Sequence, residues 1–145
     1  MKLEVRERKM NLDCSGKPRL VLADDCDLML SFVADVLRKD FEIVASVRGG
    51  DEAVEAVVRV NPDVLVLDIE MRGLNGIQTA QRLKEYGTVT KIVFLTGFED
   101  PAYVTSAFAA NASGFVFKPR LLHDLPLAIR EALAGRFFLS SSKTT

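Results

Sequence analysis

The sequence predicts an α/β domain in which helices cover both faces of a five-stranded, doubly wound parallel sheet. Short aliphatic runs alternate with helix-length segments through residues 19–135, and strands that are separated by crossover helices run parallel. The run Val64-Leu65-Val66-Leu67 has four aliphatic residues in succession, which is typical of a strand buried on both faces. Right-handed crossovers then place helices on both sides of the sheet.

Length and composition are those of one compact domain. The 145-residue chain is 48% hydrophobic, and its net charge of −1 does not favour binding to nucleic acid or to a membrane surface. We expect an N-terminal extension at 1–18, a domain at 19–135 and a C-terminal tail at 136–145. We expect a cytoplasmic protein for three reasons. The two cysteines form no CxxC or metal-binding pattern, the N-terminal segment lacks the apolar core of a signal peptide, and no apolar run approaches the roughly 20 residues of a membrane helix.

The first half of the domain contains two strand–helix pairs. Residues 19–23 form the first strand, and Asp27 can cap the helix that continues to about residue 39. A second strand at 41–47 is followed by a helix over 51–60, which Asn61-Pro62 ends.

The second half repeats the alternation, with turn residues at the boundaries. Asp100-Pro101 indicates a helix start, because Asp caps helices and Pro favours the first helical position. Pro126 is tolerable in the first turn of the last helix, which Gly135 ends. The expected elements are strands 64–68, 91–96 and 114–117 and helices 77–86, 101–111 and 124–134.

Polar residues stand where four of the strands end: Asp24-Asp25, Asp68, Thr96 and Lys118. The carboxyl ends of parallel strands share one edge of a sheet, where ligands bind. Neighbouring carboxylates repel by about 4 kcal/mol at 4 Å and an effective dielectric of 20, so a cation is expected among them. Oxygen ligands favour Mg²⁺ or Mn²⁺. A metal, an ammonium and a hydroxyl beside a carboxylate nucleophile predict phosphoryl transfer to Asp.

With these residues in place, the sequence resembles the CheY-like receiver domains of two-component response regulators. The resemblance covers about residues 19–135 and implies a flavodoxin-like sheet of strand order 2-1-3-4-5. It also implies a phosphoacceptor signalling domain that is not an enzyme beyond its own phosphorylation and autodephosphorylation. The matching segments are Leu22–Asp25, Leu67–Met71, Gly73–Gly76, Leu95–Gly97 and Gly114–Pro119.

The resemblance assigns a role to each residue of the site. Asp68 is the phosphoacceptor, and a sensor histidine kinase or a phosphotransfer protein supplies the phosphoryl group from phosphohistidine. Asp25 binds Mg²⁺ (or Mn²⁺) directly, Asp24 binds it directly or through water, and Asp68 and the backbone carbonyl of Glu70 complete the metal site.

Two further side chains bind the phosphoryl group by the same resemblance. Thr96 donates to one phosphoryl oxygen and Lys118 pairs with another. Thr96 and Phe115 form the switch, in which Phe115 turns inward as Thr96 moves. The resemblance further implies a cis peptide between Lys118 and Pro119.

Two positions depart from the family pattern. Arg72 stands where the family usually has proline, which loosens the loop or adds a positive charge near the pocket. Phe115 lacks the hydroxyl of tyrosine, so its movement cannot depend on a new hydroxyl bond. His123, the one histidine of the chain, is expected to be an exposed residue and not a phosphodonor.

The segment that follows Lys118 resembles receivers of the NarL/LuxR class, which normally continue into a helix-turn-helix domain. Two versions of the function stay open: a stand-alone receiver that acts on a partner, and the receiver fragment of a transcriptional regulator. In both, phosphorylation can promote a homodimer, and this chain itself contacts neither DNA nor a membrane.

Two other functions compete with the receiver. A degenerate receiver would act as an unphosphorylated binding module, against which the intact set of Asp24, Asp25, Asp68, Thr96 and Lys118 argues. A phosphatase of the haloacid dehalogenase type would use the Asp-x-Asp pattern of residues 25–27. The chain has no room for the substrate-covering domain of such an enzyme.

Overall fold

Six parallel strands form one sheet in the computed structural model, which describes residues 16–140. The sheet order is β2-β1-β3-β4-β5-β6, and every neighbouring pair is parallel. The predicted doubly wound sheet with order 2-1-3-4-5 is therefore confirmed, and a short sixth strand extends it. The strands are β1 (Arg19–Ala23), β2 (Glu42–Val47), β3 (Val64–Asp68), β4 (Lys91–Thr96), β5 (Gly114–Phe117) and β6 (Phe138–Leu139).

Helices alternate with these strands, and one turn of 3₁₀-helix at Lys118–Arg120 precedes the last of them. None of the helices within residues 16–140 is long and apolar enough to cross a membrane. The helices are α1 (Asp27–Leu37), α2 (Gly50–Val60), α3 (Gly76–Tyr86), α4 (Pro101–Ala109) and α5 (Leu121–Leu133).

The start of α1 and the start of α5 differ from the prediction, while α2 and α3 each begin one residue earlier than expected. Cys26, not Asp27, is the N-cap of α1, and it makes no side-chain cap bond. The backbone N–H of Cys26 donates to Asp24 Oδ1 at 2.9 Å, so the start of α1 is bonded to the carboxylate that follows β1. Helix α5 begins three residues earlier than expected, which places Pro126 inside the helix rather than in its first turn. The cap of α4 is as predicted: Asp100 accepts from the N–H of Ala102 at 2.9 Å.

The two faces of the sheet bury separate apolar clusters because side chains alternate along each strand. Leu20 and Leu22 of β1 face α1 and α5, and Val21 and Ala23 face α2, α3 and α4. Strand β3 is buried at every position, as its continuous aliphatic run predicts. Each fully buried aliphatic side chain contributes about 1.5–3 kcal/mol relative to exposure, so β3 is anchored from both faces.

Strand β6 lies in the segment where the sequence predicts only a tail. Ser140 holds this strand to β5: its N–H donates to Phe115 O at 2.9 Å, and its hydroxyl accepts from the N–H of Phe117 at 3.1 Å. The same hydroxyl donates to Asp124 Oδ2 at 2.7 Å. Asp124 is 2% exposed, and Arg120 Nε and His123 Nδ1 also bond to it, at 2.9 and 2.8 Å. A buried carboxylate on α5 therefore fixes the end of the described chain.

Helix α3 starts directly against the end of β3, and Gly76 makes this possible. A Cβ at Gly76 would lie 2.3 Å from the carbonyl oxygen of Asp68 and 2.7 Å from the Cα of Ile69. Because these neighbours are backbone atoms, a side chain here would displace the loop that follows Asp68.

Gly76→Ala should lower the free energy of unfolding by about 1–3 kcal/mol, because the new methyl group overlaps the backbone of the β3 end. Urea unfolding measured by circular dichroism tests this. Gly97→Ala is the matched control, since a Cβ there meets no atom within 4 Å, and it should change stability by less than about 1 kcal/mol. Equal losses in both variants would show that the contact at Gly76 is unimportant.

Candidate functional site

The carboxyl ends of β1, β3, β4 and β5 meet at one edge of the sheet, and the predicted site residues lie there. Asp68 is the last residue of β3, and Asp24 directly follows β1 on the neighbouring strand. Thr96 ends β4 and pairs in register with Phe117 of β5, which Lys118 follows. The parallel topology therefore brings residues from distant parts of the chain to one place.

Three carboxylates form the centre of the site. Asp24, Asp25 and Asp68 each offer an oxygen, and these oxygens lie within 4.8 Å of one another. Asp24 is 4% and Asp68 1% exposed, whereas the Asp25 side chain is 24% exposed. Three carboxylate oxygens this close together could serve as ligands of one hard divalent cation, which prefers oxygen donors.

At the site, the buried carboxylate oxygens Asp24 Oδ2 and Asp68 Oδ1 accept no well-aligned hydrogen bond from residues 16–140. Lys118 Nζ lies 3.7 Å from the first and 3.0 Å from the second, close enough for an ion pair with both. Buried charged oxygens without directed bonds are costly unless a cation compensates them. These two atoms therefore suit a hard divalent cation beside the ammonium group.

Burial and charge shift the titration of these groups. Burial raises the pKa of Asp68 to about 7, although the bond to Lys118 lowers it, and the charges of Asp24 and Glu70 raise it further. Burial also raises the pKa of Asp24. Burial alone would lower the pKa of Lys118, but its bond to Asp68 and the surrounding carboxylates outweigh this and raise it. Lys118 is thus charged at neutral pH, while Asp68 is near its titration midpoint.

Asp25 is held from the β3–α3 loop by Arg72. The backbone N–H of Arg72 donates to Asp25 Oδ2 at 3.0 Å, and its Nε lies 3.6 Å from the same oxygen. Proline has no N–H, so the residue expected from the family could not make this bond. The guanidinium is 90% exposed and is a weak ion-pair partner. Arginine in place of the usual proline thus adds a backbone N–H donor to the site. The sequence could have indicated this donor, because every residue except proline has a backbone N–H.

The carboxylate of Glu70 belongs to the site, in addition to the backbone carbonyl that the resemblance assigns to the metal. The hydroxyl of Thr96 donates to Glu70 Oε2 at 2.5 Å, and the N–H of Gly97 points to Glu70 Oε1 at 3.4 Å. Thr96 Oγ1 also accepts from the N–H of Phe98 at 3.1 Å. Thr96 is 0% exposed, so its hydroxyl is fully engaged by neighbouring residues.

The structure places Phe115 inside the fold, and at Pro119 it differs from what the resemblance implies. Phe115 is already buried at 4% exposure, on the face of β5 that packs among α2, α3 and α4. No cis peptide bond occurs in residues 16–140, so the expected cis peptide at Lys118–Pro119 is wrong. Pro119 instead lies in the 3₁₀ turn, which the N–H of Leu121 closes by donating to Lys118 O, and helical turns are built from trans peptides.

The other candidate residues lie away from this centre. The Asp27 carboxylate is 67% exposed and pairs with Arg48, so the Asp-x-Asp pattern does not bring two acids to one site. The side chain of His123 is 75% exposed, as predicted. Cys26 is a free, exposed thiol beside the acidic pair.

Comparison with known proteins shows which family and fold the chain resembles. The family model of the response regulator receiver domain matches residues 20–130. The uncharacterized transcriptional regulatory protein YvfU of Bacillus subtilis is 33% identical over 128 residues, which are 87% of this chain and 64% of that protein. The transcriptional regulatory protein DesR of the same organism is 34% identical over 119 residues, 81% of this chain and 59% of DesR.

A solved structure shows the same fold. The crystal structure of a LuxR-family two-component response regulator from Aurantimonas sp. SI85-9A1 superposes with a TM-score of 0.82 at 27% identity. The match covers 86% of this chain and 91% of that one. The chain spans about six tenths of the length of the curated relatives it matches.

The raised pKa of Asp68 predicts a specific pH dependence of stability in metal-free buffer. Its folded pKa of about 7 lies above the ordinary aspartate value of 3.8, so its contribution to stability is full below pH 3.8 and is lost as the pH rises through 7. Between pH 5.5 and 8 the wild type should therefore lose about 2 kcal/mol relative to Asp68→Asn, which has no proton to release. Urea unfolding of both proteins at the two pH values tests this, and a pH-independent difference would contradict it.

Proposed function

Because the chain belongs to the response regulator receiver domain family, we propose that Asp68 accepts a phosphoryl group from a phosphohistidine. The donor is a sensor histidine kinase or a phosphotransfer protein. The observation that carries the proposal is the buried Asp68 carboxylate, held 3.0 Å from Lys118 Nζ within a cluster of three carboxylates.

The chemistry follows from the groups at the site. An oxygen of the Asp68 carboxylate attacks phosphorus, an O–P bond forms, the N–P bond breaks, and its electron pair stays on the imidazole of the donor. The product is an acyl phosphate on Asp68. The ionised carboxylate is a much better nucleophile than the protonated carboxyl group, and Lys118 favours the ionised form because its ammonium bonds to it.

A divalent cation is part of this proposal. Asp24, Asp25, Asp68 and the backbone carbonyl of Glu70 would hold Mg²⁺, or Mn²⁺, through oxygen ligands. When bound, the ion would neutralise the negative charge of the transferred group. Lys118 lies on the opposite side of Asp68 from Asp25 in strand order. Its ammonium group is already protonated and would pair with another phosphoryl oxygen.

The response to phosphorylation would begin at Thr96. Its hydroxyl would turn to a phosphoryl oxygen, and the change would reach Phe115, whose register partner Phe94 lies on the same strand as Thr96. Thr96 and Phe115 would thus act as the switch, and α4, β5 and α5 would form the altered surface. Because Phe115 is already buried, the switch would repack it rather than bury it anew.

We propose two versions of the output of the switch. Phosphorylation can promote a homodimer or regulate a partner protein. Since the chain spans about six tenths of relatives that are named transcriptional regulatory proteins, a second candidate is the receiver part of a transcriptional regulator. DNA contact would then belong to the part of such a regulator outside this chain, and the length of the encoding reading frame distinguishes the two.

A small phosphodonor tests the acceptor assignment directly. Incubation with acetyl phosphate and Mg²⁺ should produce a slower band on a Phos-tag gel for the wild type and none for Asp68→Asn, which lacks the nucleophile. The control is Asp35→Asn, an exposed α1 carboxylate paired only with Arg38 among its described contacts, which should behave as the wild type. Equal modification of the wild type and Asp68→Asn would refute the assignment.

The cation site makes its own prediction about stability. Mg²⁺ at ten times its dissociation constant should stabilise the wild type by about 1.4 kcal/mol, which raises the melting temperature by about 3–5 °C. Asp25→Asn removes a ligand and should reduce this rise at the same Mg²⁺ concentration. Differential scanning calorimetry with and without Mg²⁺ measures it, again with Asp35→Asn as control. A rise that is unchanged in Asp25→Asn would place the ion elsewhere.

A further inference from the structure

The hydrogen of the Thr96 hydroxyl is already committed to another acid. A hydroxyl has one hydrogen to donate, and Thr96 donates it to Glu70 Oε2 at 2.5 Å. The same oxygen accepts from the N–H of Phe98 at 3.1 Å. Because Thr96 is 0% exposed, it cannot bond to water in place of these groups. A phosphoryl oxygen on Asp68 can receive this hydrogen only if Glu70 gives it up.

The next donor along the chain points to the same carboxylate. The N–H of Gly97 lies 3.4 Å from Glu70 Oε1, while Glu70 Oε2 holds the Thr96 hydroxyl. The two oxygens of one carboxylate thus face two successive donors at the end of β4. Donors arranged in this way suit the oxygens of any small anion. Glu70 therefore occupies the position of an internal anion beside the acceptor.

Electrostatics agree with this placement. The charge of Glu70 contributes to raising the pKa of both Asp68 and Lys118, so its carboxylate lies within the field of the site. Glu70 is only half-buried, so its side chain has solvent into which it can move.

On the premise that Asp68 is the phosphoacceptor, we propose that Glu70 is a positioning residue that competes with the phosphoryl group. Its carboxylate holds the Thr96 hydroxyl and faces the Gly97 N–H in the unmodified chain. Binding of a phosphoryl group at Asp68 must displace it from both. The side chain of Glu70 therefore weakens phosphoryl binding and keeps Thr96 in its unmodified orientation.

Beryllofluoride, which binds carboxylates as a phosphoryl mimic, provides the test at saturating Mg²⁺. Glu70→Gln removes the charge and weakens the bond to Thr96, so it should bind the mimic about tenfold more tightly, which corresponds to about 1.4 kcal/mol. Isothermal titration calorimetry measures the dissociation constants. Saturation is set for each variant from its own Mg²⁺ titration, so that a change in metal affinity is not counted as a change in anion affinity.

Glu70→Asp separates the hydrogen bond from the charge. The shorter side chain keeps the negative charge but cannot reach Thr96, so it should bind beryllofluoride at least about fivefold more tightly than the wild type. If Glu70→Asp binds like the wild type while Glu70→Gln binds more tightly, simple charge repulsion is at work and the competition is refuted. Glu85→Gln, an exposed glutamate on α3, is the matched control and should leave the affinity unchanged.

The unliganded proteins provide a second measurement. The amide resonances of Gly97 and Phe98 in ¹⁵N NMR spectra should shift in both Glu70 variants and stay unchanged in Glu85→Gln, because only the former lose a partner at Thr96 or Gly97. Equal beryllofluoride affinity in the wild type and both Glu70 variants would overturn the competition and leave Asp68 as acceptor. Failure of all four proteins to bind would overturn the acceptor assignment, and the competition with it.

Discussion

The ion pair between Lys118 and two buried carboxylates is the interaction on which the site depends. Asp68 ends a strand that is otherwise apolar, Asp24 follows the apolar run Leu20–Ala23, and a buried carboxylate without compensation would cost several kcal/mol. Lys118 Nζ, 3.0 Å from Asp68, compensates one charge of the two. Burial is the largest cause of the raised pKa of Asp68 and of Asp24, and the negative charge that Lys118 leaves uncompensated suits a cation. The burial of these carboxylates thus costs stability at the edge of the sheet that would bind a charged ligand.

The strand–helix alternation and the four strand ends could be predicted from the sequence because both depend on the order of apolar and polar residues within short segments. A strand that is buried on both faces must be apolar throughout, so a polar residue at its end is conspicuous, as Asp68 is after Val64–Leu67. Parallel topology then brings such ends together without further information. The placement of Asp24, Asp25, Asp68 and Lys118 follows from these two rules alone.

The features that could not be predicted depend on single contacts between distant or adjustable groups. Strand β6 has two residues and no pattern, and it is held by Ser140, whose partner Asp124 lies 16 residues earlier. The start of α5 was misplaced because the 3₁₀ turn before it positions Leu121 in the helix. The role of the Glu70 carboxylate depends on a side-chain torsion, which no sequence spacing specifies.

The site therefore combines a rigid part with an adjustable part. Asp24, Asp68 and Thr96 are buried at the sheet edge and are fixed by the strands on which they stand. Glu70 and Arg72 come from the β3–α3 loop, and each approaches a rigid group from outside: Glu70 bonds to Thr96 and Arg72 to Asp25. On the proposed function, an incoming cation would compete with the Arg72 N–H for Asp25, and an incoming anion would compete with Glu70 for Thr96. Both ligands of a phosphorylated site would thus act on the same loop, whose C-terminal end Gly76 holds against β3. Displacement of that loop would couple metal binding to phosphoryl binding without any change in the sheet, because the two competing groups, the Glu70 carboxylate and the Arg72 N–H, are two residues apart on one segment of backbone.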